Sequence, residues 1–226
     1  VMRVGAGGRE RRLYATGGAA VAGNTFDRRI IQELLLGHFG RGSTWSEDGA
    51  PFPDRYTDAL LDWQRLPDLN RPETLRFLRC ARATSSDPRA LARLESLIVH
   101  NDAMRLIDQV ERQKIALSDE RIAVIELSGQ DLDLWQPITR TQFESFILDA
   151  RRRVETCLRD TLRRSGLTAS GIDRVVRTGG SAQIPCFVAL LEDLFPGKVI
   201  LSDVFGSVTA GLAIRAHELD GQKEVL

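Results

Sequence analysis

The chain has 226 residues with 31 basic and 31 acidic side chains, which gives a formal net charge of zero. This balance excludes the strongly basic surface that non-specific nucleic-acid binding requires, so we expect no nucleic-acid partner. No apolar run approaches the roughly 18 residues that span a bilayer and no signal peptide is recognisable, so we expect no membrane partner. Three widely spaced cysteines without a CxxC pair predict reduced thiols and a cytoplasmic location.

The N-terminal residues are predicted to form a β-hairpin. Strand-like segments at Val1 to Gly5 and Glu10 to Thr16 flank Gly7-Gly8, a pair typical of a tight turn. A phosphate-binding loop at Gly5 to Gly8 is the alternative, but the GxGxxG spacing is missing and no helix follows directly. Because the chain starts at Val1 and enters strand-like sequence at once, we expect a fragment whose natural N-terminus lies upstream.

A helix is predicted from Asn24 onward. Asn24 is the expected N-cap, and Asp27 three residues later suits the positive end of the helix dipole. The apolar face of this helix is Phe26, Ile30, Ile31, Leu34, Leu35 and Phe39. Residues 40–53 are rich in Gly, Ser and Pro, which predicts a loop.

The next segment is predicted to be helical. Tyr56, Leu60 and Trp63 indicate a short helix, and Asn70 is the expected cap of a second one. A further helix is predicted to begin at Ser85 to Pro88 and to run to about Leu117. We expect a possible break in it around residues 100–102.

Near the end of that helix, Glu111, Lys114 and Ser118 follow an i, i+3, i+7 spacing and are predicted to share one face. One interpretation is a solvated surface pair, worth under about 1 kcal/mol. The other is a polar edge that meets a ligand, in which an acid and a hydroxyl bind ribose and a lysine packs along a base or counters phosphate. The spacing leaves both open.

A strand–turn–strand pattern follows at Ile122 to Leu127 and Leu132 to Trp135. Thr139 to Gln142 has the spacing of a capping box. It is predicted to open one continuous helix that Gly166 ends. The apolar stripe of this helix is Phe143, Phe146, Ile147, Ala150, Val154, Leu158 and Leu162.

The C-terminal part is predicted to be a βαβα unit. Its elements are an inner strand at Ile172 to Arg177, a helix that Pro185 opens, a strand at Val199 to Leu201, and a helix at Ser207 to His217. Gly179-Gly180 lies at the carboxyl end of the first strand, where open α/β sheets bind ligands. The alternative interpretation is a tight turn without a ligand.

The order of elements predicts an α/β layer with a mostly helical insertion. His38, His100 and His217 show no metal-binding spacing, and Gly180-Ser181-Ala182 is not a nucleophile elbow. No catalytic residue and no metal ligand is predicted.

Four segments in collinear order together resemble the Hsp70 chaperone family of the actin-like ATPase superfamily. AGNTFD at 22–27 is similar to the family's GGEDFD, and ERQKIALS at 111–118 to its E-x-x-K-x-x-L-S helix. ITRTQFE at 138–144 is similar to ITRxxFE, and VVRTGGSAQIP at 175–185 to a hydrophobic strand followed by GGSxRIP. The insertion between Gly40 and Pro88 and the divergent motifs are most similar to the bacterial YegD-type branch.

The resemblance implies the C-terminal half of an Hsp70 ATPase domain, with the actin-like (ribonuclease H-like) α/β fold. The sheet subdomain would comprise residues 1–23 and 137–226, and the inserted lobe residues 24–136. ATP or ADP would be the ligand. Magnesium would bind only in the intact protein, because the family's phosphate hairpins, magnesium aspartates and catalytic lysine lie upstream. Client proteins or co-chaperones would bind through the intact protein.

The resemblance also implies which residues contact the nucleotide, from a long helix on one side and a glycine turn on the other. They are Gly23, Glu111, Lys114, Ser118, Gly179, Gly180, Ser181 and Gln183. Three positions depart from the family. Gln183 replaces an arginine that stacks near the adenine, Ile115 replaces a basic residue, and the segment at 203–213 lacks the family's acids.

These observations favour an ATP/ADP-binding half-domain of a chaperone ATPase that hydrolyses nothing by itself. Whether the intact protein is an enzyme stays open at this point. The alternative is an actin-like interaction platform with a decayed nucleotide site. A sugar kinase or a filament-forming protein of the same superfamily is a third hypothesis.

Overall fold

The computed structural model describes residues 1–5, 10–202, 206, 209–214 and 216–217. The chain divides into two units, which we name the flanking unit, Val1–Val21 with Asp149–Leu226, and the inserted unit, Ala22–Leu148. Each unit contains both helices and strands, so the chain is a mixed helix–strand protein.

The flanking unit begins with the predicted hairpin. Strand β1, Met2–Val4, pairs antiparallel with β2, Arg11–Leu13, and Met2 lies opposite Leu13. All six residues are exposed. The two strands are confirmed, whereas the expected turn at Gly7-Gly8 lies outside the described residues.

A βαβ unit forms the rest of the flanking unit's sheet structure. Strand β7, Val175–Arg177, and β8, Val199–Leu201, pair in parallel, and helix α9, Pro185–Leu194, connects them. Pro185 is in the first turn, as predicted. The expected inner strand from Ile172 is wrong in two respects: the strand starts at Val175, and Val176 is 58% exposed. Among the described residues β7 pairs only with β8, so one of its edges is open.

The residues at helical spacing that the sequence predicts for the apolar face of α9 and its ends are Ile184, Phe187, Val188, Leu191, Leu194 and Phe195. Ile184, Phe187 and Phe195 of this set are buried, and Leu190, which lies outside it, is buried as well. Residues 209–214 and 216–217 are helical, and the other residues of the helix expected at Ser207 to His217 lie outside the described residues.

The helix predicted to run from the capping box to Gly166 is two helices. Helix α7, Arg140–Phe146, stops at Ile147, and α8, Leu148–Arg164, follows it. The capping box at Thr139 and Gln142 is confirmed. Gly166, with φ of 72°, follows the C-terminus of α8 as expected.

The inserted unit starts with helix α1, Gly23–Ile30. Ala22, not Asn24, is the N-cap, and no side chain caps this end. The chain continues as a π-helical turn, Ile31–Leu35, and a 3₁₀ turn, Leu36–Phe39. A π turn contains an extra residue, so the buried face shifts from the expected Leu34 to Leu36.

The predicted loop at 40–53 contains a short hairpin, so that expectation is wrong. Strand β3, Thr44–Trp45, pairs with β4, Ala50–Pro51. The Trp45 ring packs edge-on against Phe77 with ring centroids 4.8 Å apart, which anchors the hairpin.

Five helices follow the hairpin. They are α2, Arg55–Asp58, α3, Leu66–Leu69, α4, Pro72–Thr84, α5, Pro88–Val99, and α6, Ala103–Ala116; 3₁₀ turns at Ala59–Leu61 and Trp63–Arg65 connect α2 to α3. The expected Asn70 cap is wrong, because Arg71 is the N-cap of α4. The predicted break before α6 is confirmed, and Asn101 there has φ of 56°. None of the described helices is long and apolar enough to cross a bilayer.

The long hairpin of the inserted unit is confirmed. Strands β5, Ile122–Gly129, and β6, Leu132–Thr139, join through a two-residue turn. Alternate side chains of both strands are buried, and α6 packs against β5 while α5 packs against β6. The core of this unit is therefore a helical layer on a two-stranded antiparallel sheet.

Gly40 provides a stability test of this core. It has φ of 101°, and a Cβ there would lie 2.6 Å from Cδ2 of the buried Leu91. We expect Gly40→Ala to lower the free energy of unfolding by about 1–3 kcal/mol. Gly37→Ala, where a Cβ meets nothing within 4 Å, is the matched control and is expected to be neutral or slightly stabilising. Denaturant unfolding of both variants measures this, and equal effects would contradict it.

Candidate functional site

The eight expected site residues fall into two groups. Gly23, Glu111, Lys114 and Ser118 belong to the inserted unit, and Gly179, Gly180, Ser181 and Gln183 belong to the flanking unit. Each group is coherent within its own unit.

The centre of the first group is a buried ion pair between α6 and α1. Lys114 Nζ donates a hydrogen bond to Asp27 Oδ2 at 2.9 Å and lies 2.8 Å from Oδ1. Oδ1 is buried and has no hydrogen-bond partner of good geometry among the described residues. Both side chains are buried, so the interpretation of Lys114 as a solvated surface charge is wrong.

Burial raises the pKa of Asp27 above its ordinary value of 3.8. The hydrogen bond and the charge of Lys114 oppose this effect, and the nearby carboxylate of Glu111 adds to it. Desolvation of the carboxylate therefore outweighs the attraction of the lysine.

Gly23 and Glu111 border this ion pair. Gly23 is the first residue of α1, and a Cβ there would lie 3.5 Å from Lys114 Nζ. The backbone of Gly23 therefore lies close to the ammonium of Lys114. Glu111 lies one turn before Lys114 on α6 and is exposed, so its carboxylate is available to a ligand hydroxyl.

Ser118 is positioned differently from the expectation. Helix α6 ends at Ala116, and Ser118 lies in the turn that follows it, half-buried. Arg140 fixes this turn, because its guanidinium donates to the carbonyl oxygens of Leu117 at 2.8 Å, Ser118 at 3.3 Å and Glu120 at 2.9 Å. The three predicted residues therefore do not share one continuous helical face.

The second group forms a single turn at the carboxyl end of β7. Gly179 has φ of 83° and ψ of 155°, a conformation that favours glycine, and Gly180–Gln183 forms a 3₁₀ turn. A Cβ on Gly179 or Gly180 would meet nothing within 4 Å. Ser181 and Gln183 are half-buried in the same turn. The turn thus presents bare backbone to open space.

Arg177 holds this turn in place. Its guanidinium donates to the carbonyl oxygen of Ala182 at 3.0 Å, which links the last residue of β7 to the far side of the turn. Pro185 then starts α9. The backbone is therefore held by the hydrogen bond from Arg177, while the space next to Gly179 and Gly180 stays free of described atoms.

Three structural residues of the site were missed by the sequence analysis. Asp27 was interpreted as a first-turn acid, and Arg140 and Arg177 were quoted only as parts of motifs. No spacing in the sequence pairs Asp27 with Lys114, because the two residues lie 87 positions apart. Among the described residues, no group of three His, Cys, Asp or Glu side chains is arranged to hold a metal ion.

Comparisons with known proteins identify the family of the chain. The family model described as "Hsp70 protein" matches residues 96–226, more than half of the chain. The chain belongs to the Hsp70 family. It is 33% identical over 206 residues to "Chaperone protein HscA" of Yersinia enterocolitica, which covers 90% of the chain and 28% of that protein. It is 29% identical over 215 residues to "Chaperone protein DnaK" of Deinococcus deserti, which covers 89% of the chain and 30% of that protein.

The expected membership in the Hsp70 family is thus confirmed, and the matched residues 96–226 include both α6 and the glycine turn. The chain spans less than a third of the length of these Hsp70 relatives. The finer assignment to the YegD-type branch stays a prediction.

Removing one member of the ion pair is expected to destabilise the inserted unit strongly. Lys114→Met leaves a buried carboxylate without its partner, which typically costs about 3 kcal/mol or more. The double variant Asp27→Leu with Lys114→Met removes both charges and is expected to recover most of the loss. Denaturant unfolding of the two single variants and the double variant measures the coupling. A loss below about 1 kcal/mol for Lys114→Met would contradict a buried pair.

The raised pKa of Asp27 predicts a specific pH dependence. Because the folded state holds the proton more tightly than the unfolded state, the contribution of Asp27 to stability falls as pH rises from 3.8 through the raised folded pKa. We therefore expect the stability of the wild type relative to Asp27→Asn to fall across this window. Unfolding free energies measured at increasing pH from 3.8 upward test it. A relative stability that rises with pH would mean that the lysine dominates.

Proposed function

We propose that this chain forms the adenosine-contacting part of an Hsp70 ATPase domain, with the actin-like (ribonuclease H-like) fold. The observation that carries the proposal is the open glycine turn at the carboxyl end of β7. At this turn Gly179 has a positive φ and no side chain, and the chain continues directly into a 3₁₀ turn and α9. Open α/β sheets bind ligands at this position, and glycines allow a flat group to approach the backbone closely.

The inserted unit is proposed to contribute polar groups to the same ligand class. Glu111 is exposed and suited to accept hydrogen bonds from ribose hydroxyls, and the hydroxyl of Ser118 can serve the same purpose. Lys114 is held by Asp27, so its proposed role is to pack its stem along the base and not to pair with phosphate. Gly23 leaves room beside the ammonium.

Hydrolysis is assigned to the intact protein. Phosphoryl transfer depends on positioning and on charge stabilisation by magnesium and cationic groups. The described residues contain no group suited to hold a metal ion, and we propose that the magnesium ligands belong to other parts of the intact protein. We propose that the intact protein is a cytoplasmic ATPase that acts on client proteins together with co-chaperones. This chain alone is proposed to hydrolyse no nucleotide.

A second function is favoured by one specific observation. Lys114 is paired with Asp27. Ile115, which is 59% exposed, occupies the position where the family resemblance implies a second basic residue. Gln183 lacks the planar cation of arginine. These features favour a docking platform whose nucleotide site has decayed.

Nucleotide binding distinguishes the two proposals. In the full-length protein, we expect Gly180→Val to weaken ADP binding about tenfold, because the side chain fills the space beside the backbone that the base needs. Gly37→Val, at another glycine whose added Cβ meets nothing within 4 Å, is the matched control and is expected to bind ADP like the wild type. Isothermal titration calorimetry measures both.

A melting temperature that saturating ADP and ATP leave unchanged would favour the docking platform. Equal ADP affinity of Gly180→Val and the wild type would place any nucleotide site away from this turn.

A further inference from the structure

The flanking unit contains a cavity that is built on α8 and shares no lining residue with the glycine turn. Its volume is about 630 Å³, within the range of small-molecule sites. One wall is a face of α8 and the other is the loop at Gly18 to Ala20. The lining residues of α8 are Arg152, Arg153, Thr156, Cys157, Asp160, Arg163 and Arg164.

The side chains that line this cavity are predominantly positive. Four guanidinium groups and a single carboxylate, Asp160, line the cavity. Arg163 pairs with Asp160, and Arg152 lies 3.7 Å from Asp149. The chain as a whole is neutral, so this local excess of positive charge is a property of the cavity and not of the composition.

Two of the arginines are held by neutral groups. Arg153 donates to the carbonyl oxygen of Ala20 at 3.4 Å, and Arg164 donates to that of Thr16 at 2.6 Å. Carbonyl oxygens orient a guanidinium but do not neutralise it. Both arginines therefore present fixed positive charge at the cavity, which is the arrangement that binds oxyanions.

The loop that forms one wall of the cavity depends on glycine at its start. A Cβ on Gly17 would lie 2.0 Å from Thr161 Oγ1 and 3.0 Å from Cys157 Sγ, so only glycine allows the loop to approach α8 this closely. At the neighbouring Gly18 a Cβ meets nothing within 4 Å, so the cavity is open at that point.

We propose that this cavity is an anion site that binds a small, multiply charged phosphate compound through Arg153 and Arg164. The site is separate from the proposed nucleotide site and does not depend on it. Its volume accommodates a ligand larger than a single phosphate, and Cys157 in its wall reports occupancy.

Tripolyphosphate is the probe, titrated calorimetrically against the full-length protein at ionic strength matched with chloride. Because charge-assisted hydrogen bonds to an arginine are strong, Arg153→Ala is expected to weaken tripolyphosphate binding about tenfold. Arg174→Ala removes the same charge from an exposed position of the same unit and is expected to change affinity less than about twofold. Equal losses in these two variants would mean diffuse attraction and would overturn the proposal.

A second pair of variants tests the cavity without touching an arginine. Gly18→Asp introduces a carboxylate at the open point of the loop and is expected to weaken binding about tenfold, whereas Gly37→Asp makes the same charge change in the inserted unit and is expected to have little effect. Tripolyphosphate is also expected to slow alkylation of Cys157 by iodoacetamide but not that of the exposed Cys80. Binding lost in Gly180→Val but retained in Gly18→Asp would place the anion at the glycine turn and would overturn the proposal, as would absence of binding.

Discussion

The buried pair of Asp27 and Lys114 is the constraint on which the candidate site of the inserted unit depends. The two residues are 87 positions apart, and their contact fixes α1 against α6. An ion pair buried in this way is weak evidence for stability, because each charge loses its hydration. Its effect is geometrical: a carboxylate accepts a buried ammonium only at short range, so sliding either helix leaves an unpaired charge. The positions of Gly23 and Glu111 follow from that register.

The glycine turn achieves a fixed geometry by the opposite means. There the glycines leave space beside the backbone, and a hydrogen bond from Arg177 holds the turn. Loss of either partner of the ion pair destabilises the fold. A substitution in the glycine turn leaves the fold intact but fills the space beside the backbone. Mutations of the two groups should therefore separate folding from binding: Gly180 reports on the ligand, and Lys114 reports first on stability.

The sequence predicted elements where the signal was local. The hairpin of β5 and β6, the capping box at Thr139 and the glycine turn each depend on residues close in sequence, and each is present. Predictions failed where the outcome depends on distant contacts. The stripe from Phe143 to Leu162 is compatible with one helix, and no breaker residue in the sequence marks the interruption at Ile147. Strand β3 is two residues long, and Trp45 is held by Phe77, 32 positions away. Which carboxylate Lys114 would meet could not be read from a spacing along α6 alone.

Arginine side chains have two roles in this chain. Arg140, Arg177 and Arg164 all donate to backbone carbonyl oxygens, where a guanidinium can bind several acceptors at the ends of helices and turns. These bonds satisfy carbonyl oxygens of turns and loops, and they leave the arginine's charge in place. Where a turn needs only support, as at Ser118, that charge is incidental. Where two such arginines converge on a cavity, as on α8, the same supporting bonds create an electropositive site. The anion site is therefore a consequence of how this chain holds its loops.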